Sequence, residues 1–159
     1  MTVLSDSDIQ HALETGSLSI EPYVEKHLTP NGYDLSIDEV YVKKTDSKIT
    51  TGTAVIPPQT WFAISTKEYV KMGPQITSQL WIRTSYARRG VLASFGKVDA
   101  GFQGTLTFGC FNSSHEELEI PIGDRFCQIV FEYLSTVADE LYEKRSGTYQ
   151  HQRGVTLHK

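Results

Sequence analysis

The sequence predicts an all-β fold, a distorted jelly roll or β-sandwich, formed by a single domain of 159 residues. Short runs rich in Val, Ile, Thr and aromatic residues recur along the chain, and clusters of Gly, Pro, Asn and Asp separate them. Short strands divided by regular turns are typical of sandwiches and jelly rolls. The clearest strand runs are residues 41–42, 53–56, 61–64, 80–82, 118–120 and 129–131.

Helices are expected to be few and short. Ser5 and Asp6 are suited to cap a helix near the start of the chain, and Gly16 is suited to end it. Between them, apolar residues recur at helical spacing: Ile9, Ala12 and Leu13. A second short helix is predicted around residues 65–70.

The chain is expected to divide into a β domain, residues 1–141, and a C-terminal arm, residues 142–159. The arm is polar, is interrupted by glycines and carries Lys144, Arg145 and Arg153. Such a segment is predicted to stay mobile until an anionic ligand orders it. A frayed tail without a role is the alternative interpretation.

Composition excludes several classes of function. The net charge of −4 argues against sequence-independent binding of nucleic acid. No apolar run approaches 18 residues and no basic–apolar leader opens the chain, which predicts a cytoplasmic protein without a membrane span. Cys110 and Cys127 are too few for a disulfide scaffold or a zinc site and are predicted to be buried thiols.

The most informative block is residues 96–104, in which glycines surround a single carboxylate, Asp99. Apolar residues alternate on both sides of this block: Val91, Ala93 and Phe95 before it, and Leu106, Phe108 and Cys110 after it. This period of two predicts two strands that meet at a hairpin. A carboxylate at such a hairpin can hold a water molecule while bare main chain receives a flat ligand.

Three further blocks carry polar side chains at the ends or within strands. In residues 31–36, Asp34 is either a functional carboxylate or the cap of a turn. In residues 123–131, Gln128 interrupts an apolar strand. Its amide suits phosphate oxygens or metal-bound water, or it pins a neighbouring strand.

The remaining block, residues 82–90, has the composition of a phosphate-binding site. Two guanidinium groups flank two hydroxyl groups at the end of an apolar strand, in the order Arg83, Thr84, Ser85 and Arg88. Helical backbone beyond that strand would add N–H groups that point at an anion. A solvated basic turn is the alternative, and Arg89 is interpreted as a surface residue of that kind.

The four blocks, in this order, resemble the trimeric dUTPase and dCTP deaminase superfamily over nearly the whole chain. The opening of the chain, residues 4–9 and 16–20, and its end, residues 149–154, resemble the dCTP deaminase branch. The glycine-rich tail of ordinary dUTPases is not present. The resemblance implies a jelly-roll homotrimer whose active sites are shared between subunits.

The resemblance also implies the roles of the site residues. Asp99 would deprotonate the water that attacks the α-phosphorus, and Phe102 would lie under the deoxyribose. Asp34 and Gln128 would act on Mg²⁺ only through water, and the ion would bridge phosphate oxygens. The hairpin between Phe95 and Gly109, which includes Val98, would bind uracil. The phosphates would be bound by Arg83, Thr84, Ser85 and Arg88, and the arm would close the site with Tyr142, Tyr149 and Gln152.

One position favours dUTP hydrolysis over deamination. In dCTP deaminases a glutamate ten residues after the shared aspartate moves a proton at the cytosine ring, and this chain has Gly109 there. Other acidic residues lie beyond the loop that begins at Asn112: Glu116, Glu117 and Glu119. The zinc-dependent deaminase pattern is missing as well. The chain departs from the family in having Thr84 where serine is usual and in a short interval before Asp99.

The sequence therefore predicts a magnesium-dependent dUTPase that binds neither nucleic acid nor membrane. A dCTP deaminase or a bifunctional enzyme is the first alternative. A non-catalytic nucleotide-binding regulator and a structural jelly-roll trimer are the others, but neither explains why Asp34 and Asp99 occur together with the phosphate-binding residues.

Overall fold

A computed structural model describes residues 2–158, and strands dominate it. The prediction of an all-β fold with a short N-terminal helix is confirmed. The helices are α1 (Asp6–Glu14), α2 (Thr84–Ala87), α3 (Tyr142–Arg145) and one 3₁₀ turn (Glu25–His27). The strands are β1 (Thr2–Val3), β2 (Leu18–Glu21), β3 (Leu28–Thr29), β4 (Gly32–Val42), β5 (Ser47–Ile49), β6 (Thr53–Ile56), β7 (Thr60–Thr66), β8 (Tyr69–Met72), β9 (Ile76–Ile82), β10 (Val91–Ser94), β11 (Lys97–Val98), β12 (Gln103–Gly104), β13 (Thr107–Asn112), β14 (Leu118–Pro121) and β15 (Arg125–Tyr133).

Helix α1 forms where its local signals predict it. The Ser5 hydroxyl accepts a hydrogen bond from the Asp8 N–H, and the Asp8 carboxylate accepts one from the Ser5 N–H. Ile9 and Ala12 are buried against the β domain. Gly16 follows the helix with a φ of +72°, a conformation that glycine adopts without strain.

The strands form a curled sheet that runs in the order β10–β13–β7–β4–β15–β9–β11, with β1, β3 and β5 attached to its central strands. Two smaller antiparallel sheets, β12–β8–β2 and β14–β6, lie beside it. The long strand β4 pairs with β15 over its first half and with β7 over its second half. One buried apolar core lies within these layers and includes both cysteines, whose thiols are free as predicted.

The predicted second helix at residues 65–70 is wrong. This stretch is the end of β7 and the start of β8. The hydroxyl of Thr66 donates to the Glu68 carbonyl and accepts a hydrogen bond from the Leu106 N–H, which joins the turn to the next layer. Pairing with distant strands overrides the weak local helix signal.

Glu68 is a buried carboxylate that the sequence analysis did not identify. Only 1% of its surface is exposed, and its Oε2 accepts a hydrogen bond of 2.8 Å from the Ser36 N–H. Its Oε1 lies 3.9 Å from Nδ1 of His27. This ring nitrogen has no hydrogen-bond partner within residues 2–158. Burial raises the pKa of Glu68 above its ordinary 4.5, and burial lowers the pKa of His27 below 6.5.

The raised pKa of Glu68 predicts how a Glu68→Gln variant behaves. A carboxyl whose pKa is higher in the folded state binds its proton more tightly there, so the protonated group stabilises the fold at pH values below the unfolded-state pKa. This stabilisation is lost as the pH rises through the folded-state pKa. Glutamine stays neutral throughout. The free energy of unfolding of Glu68→Gln, relative to wild type, is therefore expected to increase between pH 4 and pH 7 in urea titrations.

Glu132→Gln is the matched control, because the Glu132 pKa is shifted in the opposite direction. Its carboxylate accepts a hydrogen bond of 2.8 Å from the Lys97 ammonium, which lowers its pKa below 4.5. Relative to wild type, this variant is expected to lose stability over the same rise in pH. A constant difference between Glu68→Gln and wild type at both pH values would contradict the prediction.

No helix within residues 2–158 is long and apolar enough to cross a membrane.

Candidate active site

The predicted hairpin around Asp99 is confirmed. Strand β10 pairs antiparallel with β13, with Ala93 opposite Cys110 and Ser94 opposite Gly109. Between them, the Phe102 N–H donates to the Asp99 carbonyl and closes a turn. Gly101 occupies that turn with a φ of +84°. The turn leaves the Asp99 side chain exposed to solvent.

Asp99 borders a cavity of about 180 Å³ at the inner side of the hairpin. The Phe102 ring is buried at this cavity and packs edge-on against Tyr142, with 5.5 Å between the ring centroids. Six of the residues predicted to bind nucleotide line the cavity: Val98, Asp99, Phe102, Tyr142, Tyr149 and Gln152. The structure thus brings the hairpin and the arm together around one space.

The arm reaches this cavity through hydrogen bonds to its own chain. The Thr105 N–H donates to the Gln152 carbonyl at 3.0 Å, and the His151 N–H donates to the Gln103 carbonyl at 2.7 Å. The Gln152 amide donates to the Thr105 carbonyl at 2.8 Å, and its Oε1 has no partner within residues 2–158. The arm therefore lies along residues 103–105, which lead into the outgoing strand β13.

Three of the four predicted phosphate-binding residues, Arg83, Thr84 and Ser85, line a second cavity of about 350 Å³, termed the phosphate cavity after that prediction. Arg83 occupies the N-cap position of α2 without a capping hydrogen bond from its side chain, and Thr84 and Ser85 lie in the first turn of that helix. The cavity is lined by Asp34, Trp81, Ile82, Arg83, Thr84, Ser85 and Gln128. Arg88 occupies the C-cap position of α2, is exposed and does not line the cavity.

Asp34 holds two guanidinium groups at this cavity. Its Oδ2 forms an ion pair with Nε of Arg83 at 3.2 Å and accepts a hydrogen bond from a terminal nitrogen of Arg125 at 3.3 Å. Asp34 is only 5% exposed, so the carboxylate of both ion pairs is largely shielded from solvent. The sequence analysis missed Arg125, although it lies three residues before Gln128 in the same block, because its contact with Asp34 depends on the pairing of β15 with β4.

Gln128 lies outside the buried core. It is half-buried, and its amide nitrogen donates to the Thr29 hydroxyl at 2.7 Å. Its Cα lies opposite Asp34 on one side and Trp81 on the other, so the three form a row across the sheet. The neighbouring residues form a buried row on the other face: Tyr33, Leu80 and Ile129.

The two cavities lie on opposite faces of strand β9. Leu80 lines the Asp99 cavity, and Trp81 lines the phosphate cavity. Successive strand residues point to opposite faces of a sheet. Within one chain, therefore, the structure does not bring Asp99 together with Arg83 and its neighbours.

The Trp61 indole occupies the space that a side chain at position 109 would take. A Cβ atom at Gly109 would lie 3.3 Å from Nε1 and 3.4 Å from Cζ2 of Trp61. The loop that carries Glu116 is held by the Asn112 amide, which donates to the Glu116 carbonyl at 2.9 Å.

The phosphate cavity offers oxygen donors for a hydrated cation. Mg²⁺ prefers oxygen ligands and keeps several of its waters. Asp34 and Gln128 are opposite each other on paired strands. The Gln128 amide nitrogen donates to the Thr29 hydroxyl, so the Gln128 amide oxygen does not take part in that hydrogen bond. Residues 2–158 contain no group of three His, Cys, Asp or Glu side chains that could hold a metal ion directly. This donor set fits Mg²⁺ held through water.

Comparisons with known proteins identify relatives of this chain. Residues 3–134 match the family model described as dCTP deaminase-like. The dCTP deaminase of Thermococcus kodakarensis is 39% identical over 143 residues, which cover 88% of this chain and 90% of that protein. A probable deoxyuridine 5′-triphosphate nucleotidohydrolase of Sulfolobus islandicus rod-shaped virus 1 is 35% identical over 159 residues, which cover 99% of this chain and 98% of the viral protein.

A solved structure supports the fold. The crystal structure of 2′-deoxycytidine 5′-triphosphate deaminase from Agrobacterium tumefaciens superposes with a TM-score of 0.72 at 16% sequence identity. The match covers 87% of this chain but 50% of the Agrobacterium chain, so this chain spans about half the length of that protein. At this level of identity the likeness concerns the fold alone.

Proposed function

The chain belongs to the dCTP deaminase-like family, and from that premise we propose that it hydrolyses dUTP to dUMP and pyrophosphate. Gly109 carries this proposal. Deamination at the pyrimidine needs a group that takes and gives a proton, and neither glycine nor the Trp61 indole beside it does so. Cleavage of the triphosphate makes no such demand on this position.

Asp99 is the proposed general base. Its exposed carboxylate at the hairpin turn would hold a water molecule and remove its proton as the water attacks the α-phosphorus. The Phe102 ring, buried beside it, would support the deoxyribose and leave no room for a 2′-hydroxyl. Main-chain groups of the hairpin would bind the uracil, and the arm would cover it with Tyr142 and Tyr149.

The phosphate cavity would bind the triphosphate. Arg83 supplies a guanidinium whose orientation the Asp34 carboxylate holds, and Thr84 and Ser85 add hydroxyl groups at the start of α2. Arg88 would contact phosphate from the far end of that turn. Mg²⁺ held through water by Asp34 and Gln128 would neutralise charge that develops on the phosphate oxygens.

A homotrimer would complete the site. The Asp99 cavity and the phosphate cavity lie on opposite faces of β9, so one nucleotide cannot fill both within a chain. We infer that the phosphate-binding residues of one subunit meet the hairpin of another. Closed cyclic symmetry would then repeat the shared site three times.

Product analysis tests the proposed reaction. We expect dUTP with Mg²⁺ to give dUMP and pyrophosphate, whereas dCTP gives neither ammonia nor any uracil nucleotide and UTP remains intact. Chromatography of the three separate incubations, together with an ammonia assay, measures this directly. Removal of Mg²⁺ with a chelator is the control for metal dependence.

Deamination of dCTP, alone or followed by hydrolysis, is the second candidate. The 39% identity to the Thermococcus kodakarensis dCTP deaminase favours it. Release of ammonia from dCTP would establish this alternative and would contradict the role assigned to Gly109. Binding of dUTP without turnover would instead point to a nucleotide-binding regulator.

A further inference from the structure

Trp61 lies directly over the bare backbone of Gly109. Strands β7 and β13 pair so that Gly109 is opposite Ala63 and Phe111 is opposite Trp61. Trp61 and Gly109 therefore face the same side of the sheet, and the indole nitrogen is the atom that a Cβ at Gly109 would meet at 3.3 Å. Because Gly109 has no side chain, the Trp61 indole can pack against its backbone.

The indole is held in a defined orientation. The Tyr41 ring packs edge-on against it at 6.3 Å between centroids, and the Lys43 ammonium lies 5.9 Å from its ring centre. The Tyr41 hydroxyl is itself anchored by donating to Asp46 at 2.9 Å. No atom of residues 2–158 accepts a hydrogen bond from Nε1 of Trp61, which leaves an oriented donor at this position.

This donor borders a cavity of about 290 Å³ that adjoins the Asp99 cavity. Trp61 and Gly109 line it, together with residues that also line the Asp99 cavity: Thr107, Tyr149 and Gln152. A nucleotide with its α-phosphorus near Asp99 and its sugar on Phe102 would direct its base towards this shared wall. A pyrimidine base would thus come within reach of the indole.

We propose that Trp61 selects the base by donating its indole N–H to the 4-carbonyl oxygen of uracil. The proposal rests on the proposed function and adds the group that distinguishes dUTP from dCTP. Cytosine has an amino group at position 4, so the indole N–H would face a second hydrogen-bond donor. The indole N–H and the amino group would then both be left without an acceptor. Trp61 is thus a specificity-determining residue and takes no part in bond breaking.

Trp61→Phe tests this proposal, because phenylalanine keeps an aromatic ring beside Tyr41 and removes the N–H. Dissociation constants for dUTP and dCTP are measured by calorimetry in the Asp99→Asn background, where hydrolysis does not interfere. We expect the preference for dUTP over dCTP to fall by about tenfold, the effect of one lost neutral hydrogen bond. An unchanged preference would overturn the proposal.

Trp81→Phe is the matched control, since Trp81 lines the phosphate cavity on the other face of the sheet. It is expected to affect both nucleotides equally and to keep their ratio. A fall in the ratio as large as that of Trp61→Phe would show a general effect of losing tryptophan and would also overturn the proposal.

A substrate analogue covers the case in which Trp61→Phe fails to fold. In 4-thio-dUTP a sulfur atom, a weaker acceptor, replaces the 4-carbonyl oxygen. The Asp99→Asn protein, with Trp61 intact, is expected to bind it several-fold more weakly than dUTP, and equal binding would contradict the assignment. If wild type binds dUTP selectively but does not hydrolyse it, the proposed function fails while the role of Trp61 stands.

Discussion

Replacing Asp99 with asparagine is expected to lower the kcat for dUTP hydrolysis by about 10²–10⁴-fold, the usual contribution of a general base. Asparagine occupies the same space and can still hold a water molecule, but it cannot take a proton from it. Asp99 is exposed at the hairpin turn, so the substitution leaves the core intact. Pyrophosphate release measures turnover, and calorimetry with a non-hydrolysable dUTP analogue is expected to show binding close to that of wild type.

Asp139→Asn is the control for loss of a negative charge in the same region. Asp139 is exposed and lines a neighbouring cavity together with Asp99, and it has no role in the proposed reaction. We expect this variant to turn over dUTP at the wild-type rate. Wild-type turnover by Asp99→Asn would remove Asp99 as the base, and loss of dUTP binding by it would indicate a structural role.

Mixing two inactive variants is expected to restore activity. If Asp99 of one subunit acts on a triphosphate held by Arg83 of another, then Asp99→Asn and Arg83→Ala subunits complement each other. In a trimer assembled at random from equal amounts, about one site in four combines both intact residues. We therefore expect co-refolded mixtures to recover about a quarter of the wild-type rate.

The control mixture pairs Asp99→Asn with the double variant Asp99→Asn/Arg83→Ala, which has no intact base and should stay inactive. Complementation is informative only if subunits exchange, so native mass spectrometry of the mixture accompanies the assay. Mixed trimers without recovered activity would contradict a shared site and would place Asp99 and Arg83 in the same functional chain. Monomeric protein with full activity would contradict the trimer itself.

Local signals were sufficient for the elements that are stabilised locally. Helix α1 begins with a reciprocal pair of hydrogen bonds between Ser5 and Asp8, which are three residues apart, so the chain needs no distant partner to start it. The alternation around residues 96–104 predicted the hairpin because its two strands are neighbours in sequence. The helix predicted at residues 65–70 failed because Thr66 bonds to Leu106, forty residues away.

Some residues of the candidate site could likewise be grouped from their sequence spacing, and others only from tertiary contacts. Asp99 and Phe102 lie within one turn, and Arg83, Thr84 and Ser85 are consecutive, so sequence spacing was enough to group them. Arg125 and Trp61 were missed because their importance depends on contacts with residues in other strands. Arg125 reaches Asp34 across 91 positions, and Trp61 reaches Gly109 across 48 positions of the numbered sequence.

The order of residues along the chain by itself determined the β architecture, the capped first helix and the type of chemistry that each block can perform. These properties follow from period, turn residues and functional groups, which are all local. Only the tertiary structure decided which blocks share a cavity, that the two cavities face opposite sides of β9, and that an indole stands over Gly109. Strand pairing joins residues that are far apart in sequence, so the choice of partner strand depends on packing across the whole fold and not on local pattern.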